Sequence, residues 1–504
     1  KKDFNRKKAA KPDPNVVQRL ASDPTASVWV TASAGTGKTK VLTDRVLRLM
    51  LNGSAPDEIL CITFTKAATA LMTIRIREEL GQWATLPTEA LSEKLTKLQG
   101  RKPKADEIMR ARRLFAEYLD AHGGMRIQTI HSFSQGLLKR FPIESGVPPY
   151  FEVMDDQTAA EMLRASRADI LRQVQKNPNT PLAQAVRMIT PEVSEDDFIS
   201  LIGQLTYRRG ELISTIERFG GLEETIEAVY DYLDAPEGMD SKTLNDMLND
   251  DHGLFGDAPD IDSLHMAADI LATGTPTELE KAKLIKAWLL HPEQRVEMFW
   301  DYASVFLTAD QTMRKKLTTQ KTIAAEDILR AEGERLMRGI EAISTMNVAR
   351  GTEAILRLTS AILDTYSARK KSLNLLDYDD LIHTANVMLQ KEGAASWLLK
   401  KLPGDLKHIL VDEAQDTNPD QWQLVSALVK EFFKPDVNKN LPEQTLFVVG
   451  DEKQSIFSFQ RADPREFARR KKMFADLVKA SGGEWRNLEM EIAFRSSPAI
   501  TQAV

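Results

Sequence analysis

The chain has 504 residues, with 67 lysines and arginines against 73 aspartates and glutamates, a net charge of −6 and 42% hydrophobic residues. That length and apolar content accommodate about three domains, each with a sizeable core, and so mild a charge imbalance says little about partners. A single cysteine, Cys61, excludes an internal disulfide framework and a multi-cysteine zinc site and fits a reducing compartment; with no run of 18 apolar residues, neither a membrane span nor a signal peptide is expected, and the location expected is cytoplasmic.

In chain order, the basic start (Lys1, Lys2, Arg6, Lys7, Lys8, Lys11) reads as a frayed, solvated tail that could touch phosphates. Then comes SVWVT (27–31), the first of four short β-branched runs; the others are ILCITF (59–64), HILVDEA (408–414) and TLFVVGD (445–451). Continuous apolar strands alternating with helical periodicity predict a parallel sheet covered on both faces. Between about 157 and 371 the texture becomes helical, as in AAEMLRASRADILRQV (159–174), KAKLIKAWLL (281–290) and EDILRAEGERLMRGIEAI (326–343). A stretch rich in Asp, Gly, Asn and Pro (235–262) is expected to be a long surface connection. The architecture expected is one α/β domain interrupted by a large helical insertion.

The strongest local signal is WVTASAGTGKTKVLTDRVLRLML (29–51), a strand, a glycine-containing loop and an amphipathic helix. Ala34, Gly35, Thr36 and Gly37 can wrap a phosphate with backbone N–H groups, and the helix N-terminus adds its dipole. Lys38 would reach the β- and γ-phosphates of ATP, and Thr39 would bind Mg²⁺. Ala32 stands where a first glycine is usual. A second half-site follows the run at 408: Asp412 would hold the metal and Glu413 would activate the attacking water. Adjacent acids after a strand can equally be a solvated strand end; the loop at 32–39 favours the catalytic reading. After the run at 445, the neutral amide of Gln454 can sense a γ-phosphate. Phe457 and Phe459, a few residues on, can stack bases.

This constellation resembles the superfamily 1 helicases of the UvrD/Rep type and, within them, the AddA helicase-nuclease subunit family. The motifs run in order: Gln18, ASAGTGKT, TFTKAATALM (63–72), TIHSFSQGLLKRFP (129–142), LDYDDLI (376–382), VDEAQD (411–416), GDEKQSIFSFQ (450–460) and FRSS (494–497). The resemblance implies a P-loop NTPase with a RecA-like fold: motor domain 1A over 1–156 and 372–480, a helical insertion domain 1B over 157–371, and the start of a second motor domain 2A over 481–504. It implies that Gln18 reads the adenine edge, that Gln454 and Arg495 contact the γ-phosphate, and that Phe64, His131 and Phe459 line or stack on single-stranded DNA. Leu71, Ser134, Arg461 and Ala493 depart from the family pattern, mostly on the DNA side. The function it implies is an ATP-dependent DNA helicase or translocase subunit in double-strand break repair, using ATP and Mg²⁺. Its partners would be single-stranded DNA, duplex ends and an AddB-like second subunit. The chain is expected to be the N-terminal portion of a longer protein and to hydrolyse ATP weakly alone. The rival expectation is a P-loop ATP switch or scaffold that binds a protein partner without moving on DNA.

Overall fold

The computed structural model describes residues 13–33, 35–121, 124–190, 193–235, 258–391, 393–402, 405–434, 444–451, 453, 464–490 and 492. The chain divides into two compact units, Lys1–Asp156 with Leu373–Val504, and Gln157–Ser372.

The first unit is built on a parallel sheet. Its strands are β1 (Ser27–Ala32), β2 (Ile59–Thr63), β3 (Arg126–Thr129), β6 (His408–Val411), β7 (Thr445–Gly450) and β8 (Trp485–Met490), in the order β3-β2-β6-β7-β1-β8. The central strands are apolar throughout because both faces are covered. Alternate side chains go to opposite sides: Trp29, Leu60, Ile62, Ile409, Val411, Leu446 and Val448 join one core, and Val28, Val30, Ile59, Cys61, Leu410, Phe447 and Val449 the other. The first core is closed by helices Ile130–Arg140, Tyr378–Gln390, Pro419–Phe432 and Pro464–Ala480, the second by Lys38–Leu51, Lys66–Thr85, Thr88–Gln99 and Ala105–Asp120. Trp29 anchors the first, with its ring 4.6 Å from Phe467 and stacked near Trp422.

The expected boundary at 481 needs correction. β8 pairs in parallel with β1 from Ser27↔Trp485 to Ala32↔Met490 and is an edge strand of this same sheet; residues 493–504 lie outside the described residues. The physical reason is that β1, with Val28, Trp29 and Val30 at its centre, would otherwise be an exposed edge.

Short strands β4 (Glu152–Val153) and β5 (Leu375–Leu376) pair in parallel where the chain leaves and re-enters the first unit. The second unit is helical. Its spine is Glu326–Ser372, 47 residues in one helix and ~70 Å long at 1.5 Å per residue, and three separate apolar clusters draw on successive stretches of it. The helical runs expected at 159–174, 281–290 and 326–343 lie in helices Asp156–Lys176, Pro276–Leu290 and this spine. Of the connection expected at 235–262, residues 236–257 lie outside the described residues, and a helix begins at Ile261. Among the described residues no helix is long and apolar enough to cross a membrane.

Candidate nucleotide site

β1 ends at Ala32 and the helix Lys38–Leu51 begins six residues later. Gly35 and Gly37 turn the chain through the left-handed region, with φ of 73° and 93°. The φ at Gly37 is what favours glycine there; a Cβ would also come within 2.9 Å of Gln18 Nε2, so that side chain would have to shift. Thr36 is buried and its hydroxyl donates to the Ser33 carbonyl at 2.8 Å. Gly37 caps the helix without a side-chain acceptor, so the first N–H groups are offered to whatever sits in the loop, the arrangement that attracts an anion. Ala32 still lies within the strand, in extended backbone, where the usual first glycine is not needed. Ala34 lies outside the described residues.

The second half comes from β6. Asp412 N–H donates to the Ile62 carbonyl at 2.9 Å, which fixes the strand end. The next residue, Glu413, has φ 46°, a left-handed conformation costly for a side chain of this kind and concentrated at functional sites. The turn brings Glu413 Oε2 to 2.9 Å from Lys38 Nζ, joining residues 375 apart in sequence. Gln415 Nε2 donates to the same oxygen at 2.7 Å and to Asp416 Oδ2 at 3.1 Å, while Gln415 Oε1 accepts the Asp451 N–H at 2.8 Å.

Burial, then the neighbouring Glu413 charge, pushes the Asp412 carboxyl up to about 6; a hydrogen bond from the Glu413 N–H and the Lys38 charge pull the other way. Asp416 is also pushed up to about 6, by burial and then Glu413, and among the described residues its buried Oδ1 has no hydrogen-bond partner. Two raised carboxyls thus stand near a loop whose helix N-terminus attracts an anion. Thr39 and Asp412 supply the hard oxygen donors that Mg²⁺ takes, so the residues fit the ion.

Gln18 is buried; its Nε2 donates to the Thr36 carbonyl at 3.1 Å, and its Oε1 accepts from Lys40 Nζ at 3.4 Å. Its amide is therefore engaged with the glycine loop itself. Phe64 lies half-buried just past β2. His131, just past β3, meets the Tyr378 ring edge-on at 5.2 Å, and burial lowers its basicity against the opposing pull of Asp379 and Asp156. Gln454, Phe457, Phe459 and Arg495 lie outside the described residues. Of the departures from the family pattern, Leu71 is exposed and Ser134 is buried with its hydroxyl on the Ile130 carbonyl; Arg461 and Ala493 lie outside the described residues. The polar groups that sequence reasoning passed over are Gln415 and Asp416. Both stand in VDEAQD, but their partners come from separate stretches of chain.

The profile of the UvrD/REP helicase N-terminal domain matches residues 14–475. The chain is 25% identical to an ATP-dependent helicase/nuclease subunit of Lactobacillus acidophilus, over 97% of the chain and 39% of that protein. To the same-named proteins of Staphylococcus carnosus and Lactiplantibacillus plantarum it is 25% and 23% identical, over 94% and 88% of the chain and 37% and 35% of theirs. It thus spans less than two fifths of the length of these relatives. With a family domain laid over most of its length and the phosphate loop and the paired acids inside that span, the chain belongs to the UvrD/REP helicase family.

Proposed function

We propose that this chain is the ATP-binding motor portion of a DNA helicase or translocase that works in double-strand break repair. Residues 1–156 and 373–492 act as the first motor domain and 157–372 as its helical insertion. The observation that carries the reading is the contact between Lys38 of the phosphate loop and Glu413 at the end of β6, which joins a phosphate ligand to a base.

In this reading the backbone N–H groups of Gly35–Thr39 and the Lys38 ammonium hold the ATP phosphates, Thr39 and Asp412 hold Mg²⁺, and Gln18 borders the adenine. When bound, Mg²⁺ supplies charge neutralisation on the phosphate oxygens. Lys38 turns from Glu413 to the phosphates, and Glu413 then orients water and takes its proton. Gln454 and Arg495 contact the γ-phosphate; Phe64, His131, Phe457 and Phe459 meet single-stranded DNA. The ATP-dependent helicase/nuclease relatives support ATP-driven helicase work; in this reading the chain acts on single-stranded DNA and duplex ends, beside an AddB-like partner, in the cytoplasm.

The test is titration of the chain with a fluorescent ATP analogue with and without Mg²⁺, alongside anisotropy of a labelled single-stranded oligonucleotide across a salt series. Mg²⁺-dependent nucleotide binding together with salt-sensitive DNA binding, weakened by Phe64→Ala or His131→Ala, is the expected result. Nucleotide binding with no DNA binding even at low salt would favour a switch that binds a protein partner; no nucleotide binding would remove the motor reading.

A further inference from the structure

Two hydrogen bonds converge on one oxygen of Glu413. Oε2 accepts from Lys38 Nζ at 2.9 Å and from Gln415 Nε2 at 2.7 Å, and among the described residues Oε1 accepts none. Gln415 is itself buried and held at its other end, where Oε1 accepts the Asp451 N–H at 2.8 Å; its amide nitrogen also reaches Asp416 Oδ2 at 3.1 Å. The partners decide the amide's orientation: carboxylates accept only, and a backbone N–H donates only, so the nitrogen faces the acids and the oxygen faces β7. A carboxylate here would repel both acids, and a shorter or apolar side chain would drop one end of the bridge. The approach is close, since a Cβ at Gly450 would come within 2.8 Å of Gln415 Oε1.

In the hydrolytic reading above, Lys38 turns from Glu413 to the bound phosphates. When it turns to the phosphates, Glu413 loses its charged donor, and its backbone already sits at φ 46°. What remains on Oε2 is Gln415. We propose that Gln415 is a positioning residue for hydrolysis: it keeps Oε2 tethered after Lys38 leaves, so that Oε1 faces the attacking water, and its hold on Asp451 makes the ends of β6 and β7 one unit. This role rests on the hydrolytic reading above. In the step served, the water oxygen bonds to the γ-phosphorus, the bond to the ADP oxygen breaks with its electron pair going to ADP, and a water proton passes to Glu413 Oε1.

The test compares single-turnover ATP hydrolysis by the full chain and by Glu413→Gln, Gln415→Ala and the double variant, with nucleotide affinity measured for each. The role predicts that Gln415→Ala slows the parent by roughly 10–100-fold, the usual scale of a misplaced catalytic group, with affinity within about threefold. It also predicts that the same substitution costs almost nothing in the Glu413→Gln background, because its effect runs through that carboxylate. Hydrogen exchange of the 445–451 segment, measured without nucleotide, should quicken at Asp451 in Gln415→Ala. An equal slowing in both backgrounds, no slowing at all, a loss confined to affinity, or unchanged exchange at Asp451 overturns the proposal. A parent no faster than Glu413→Gln removes the hydrolytic reading and this role with it; a Glu413-dependent rate indifferent to Gln415 removes only the role.

Discussion

The two ends of the parallel sheet treat buried polar groups in opposite ways. At the N-terminal end, Arg45 is fully buried; its guanidinium donates to the Asp23 carbonyl, to the Ala26 carbonyl at 2.7 Å and to Thr445 Oγ1 at 3.0 Å. That hydroxyl also shares a hydrogen bond with His408 Nδ1 at 2.8 Å, and His408 Nε2 shares one with Ser54 Oγ at 2.9 Å. At the C-terminal end, Asp412 and Asp416 are pushed up to about 6, and Asp416 Oδ1 has no partner among the described residues. One strand, β6, carries both: His408 begins it and Asp412 follows its last residue. Apart from Arg45 Nε, which has no partner among the described residues, the polar groups of the first end are held from within and bind the fold together, whereas carboxyls raised toward neutrality at the other end are poised for something that arrives from outside.

The contrast predicts that substitutions at the open end cost activity and those at the closed end cost stability. The largest expected effect is at Glu413. Removing its basicity by Glu413→Gln should slow single-turnover hydrolysis by roughly 10²–10⁴-fold, the range for loss of a general base, while nucleotide affinity stays within about threefold. A loss of affinity instead would assign Glu413 to binding.

Next is Arg45→Leu, which strips donors from two carbonyls and from Thr445. A loss of about 2–4 kcal/mol is expected from buried hydrogen bonds to a charged group, read as a shift of the denaturation midpoint, with nucleotide affinity nearly unchanged. If affinity fell further than stability, the two ends would not be separable.

Lys38→Ala should raise the dissociation constant for an ATP analogue by roughly 10–100-fold, the equivalent of one charged hydrogen bond at about 1.5–3 kcal/mol. Its midpoint should move little, because the Lys38–Glu413 pair stands at a partly open site.

How legible these ends are in the sequence follows from their burial. β1, β2, β6 and β7 are covered on both faces, so they read as continuous apolar runs. β3 and β8 are partly exposed edge strands spelled RIQT and WRNLEM, with too few apolar residues to read as buried strands; 481–504 reads as the start of a following domain from the family resemblance, which does not say which sheet its first strand joins. The glycine loop is readable because its pattern is local: two left-handed glycines, then a lysine and a threonine at a helix start. Gln415 is not, because its role exists only when Asp451 of another strand end and Glu413 close on it. The closed end is invisible for the same reason, since no local pattern links Arg45, His408 and Thr445.

The smallest effect tests the closed end alone. Burial, then the charges of Arg45 and Lys407, pushes His408 from its ordinary value of 6.5 down to about 3, so the folded chain keeps it neutral. Below pH 6.5 the unfolded chain gains a proton that the folded chain refuses. Stability is therefore fully present above that pH and is lost as the pH falls toward 3. Between pH 7 and 5.5 this one group should remove about 1 kcal/mol. His408→Gln keeps an amide for hydrogen bonding but cannot titrate, so its denaturation midpoint should fall less than the parent's over that interval, other groups cancelling in the difference. Parallel pH dependences in parent and variant would mean that His408 accepts a proton inside the fold, and the N-terminal end of the sheet would then be as unsettled as the site at the other.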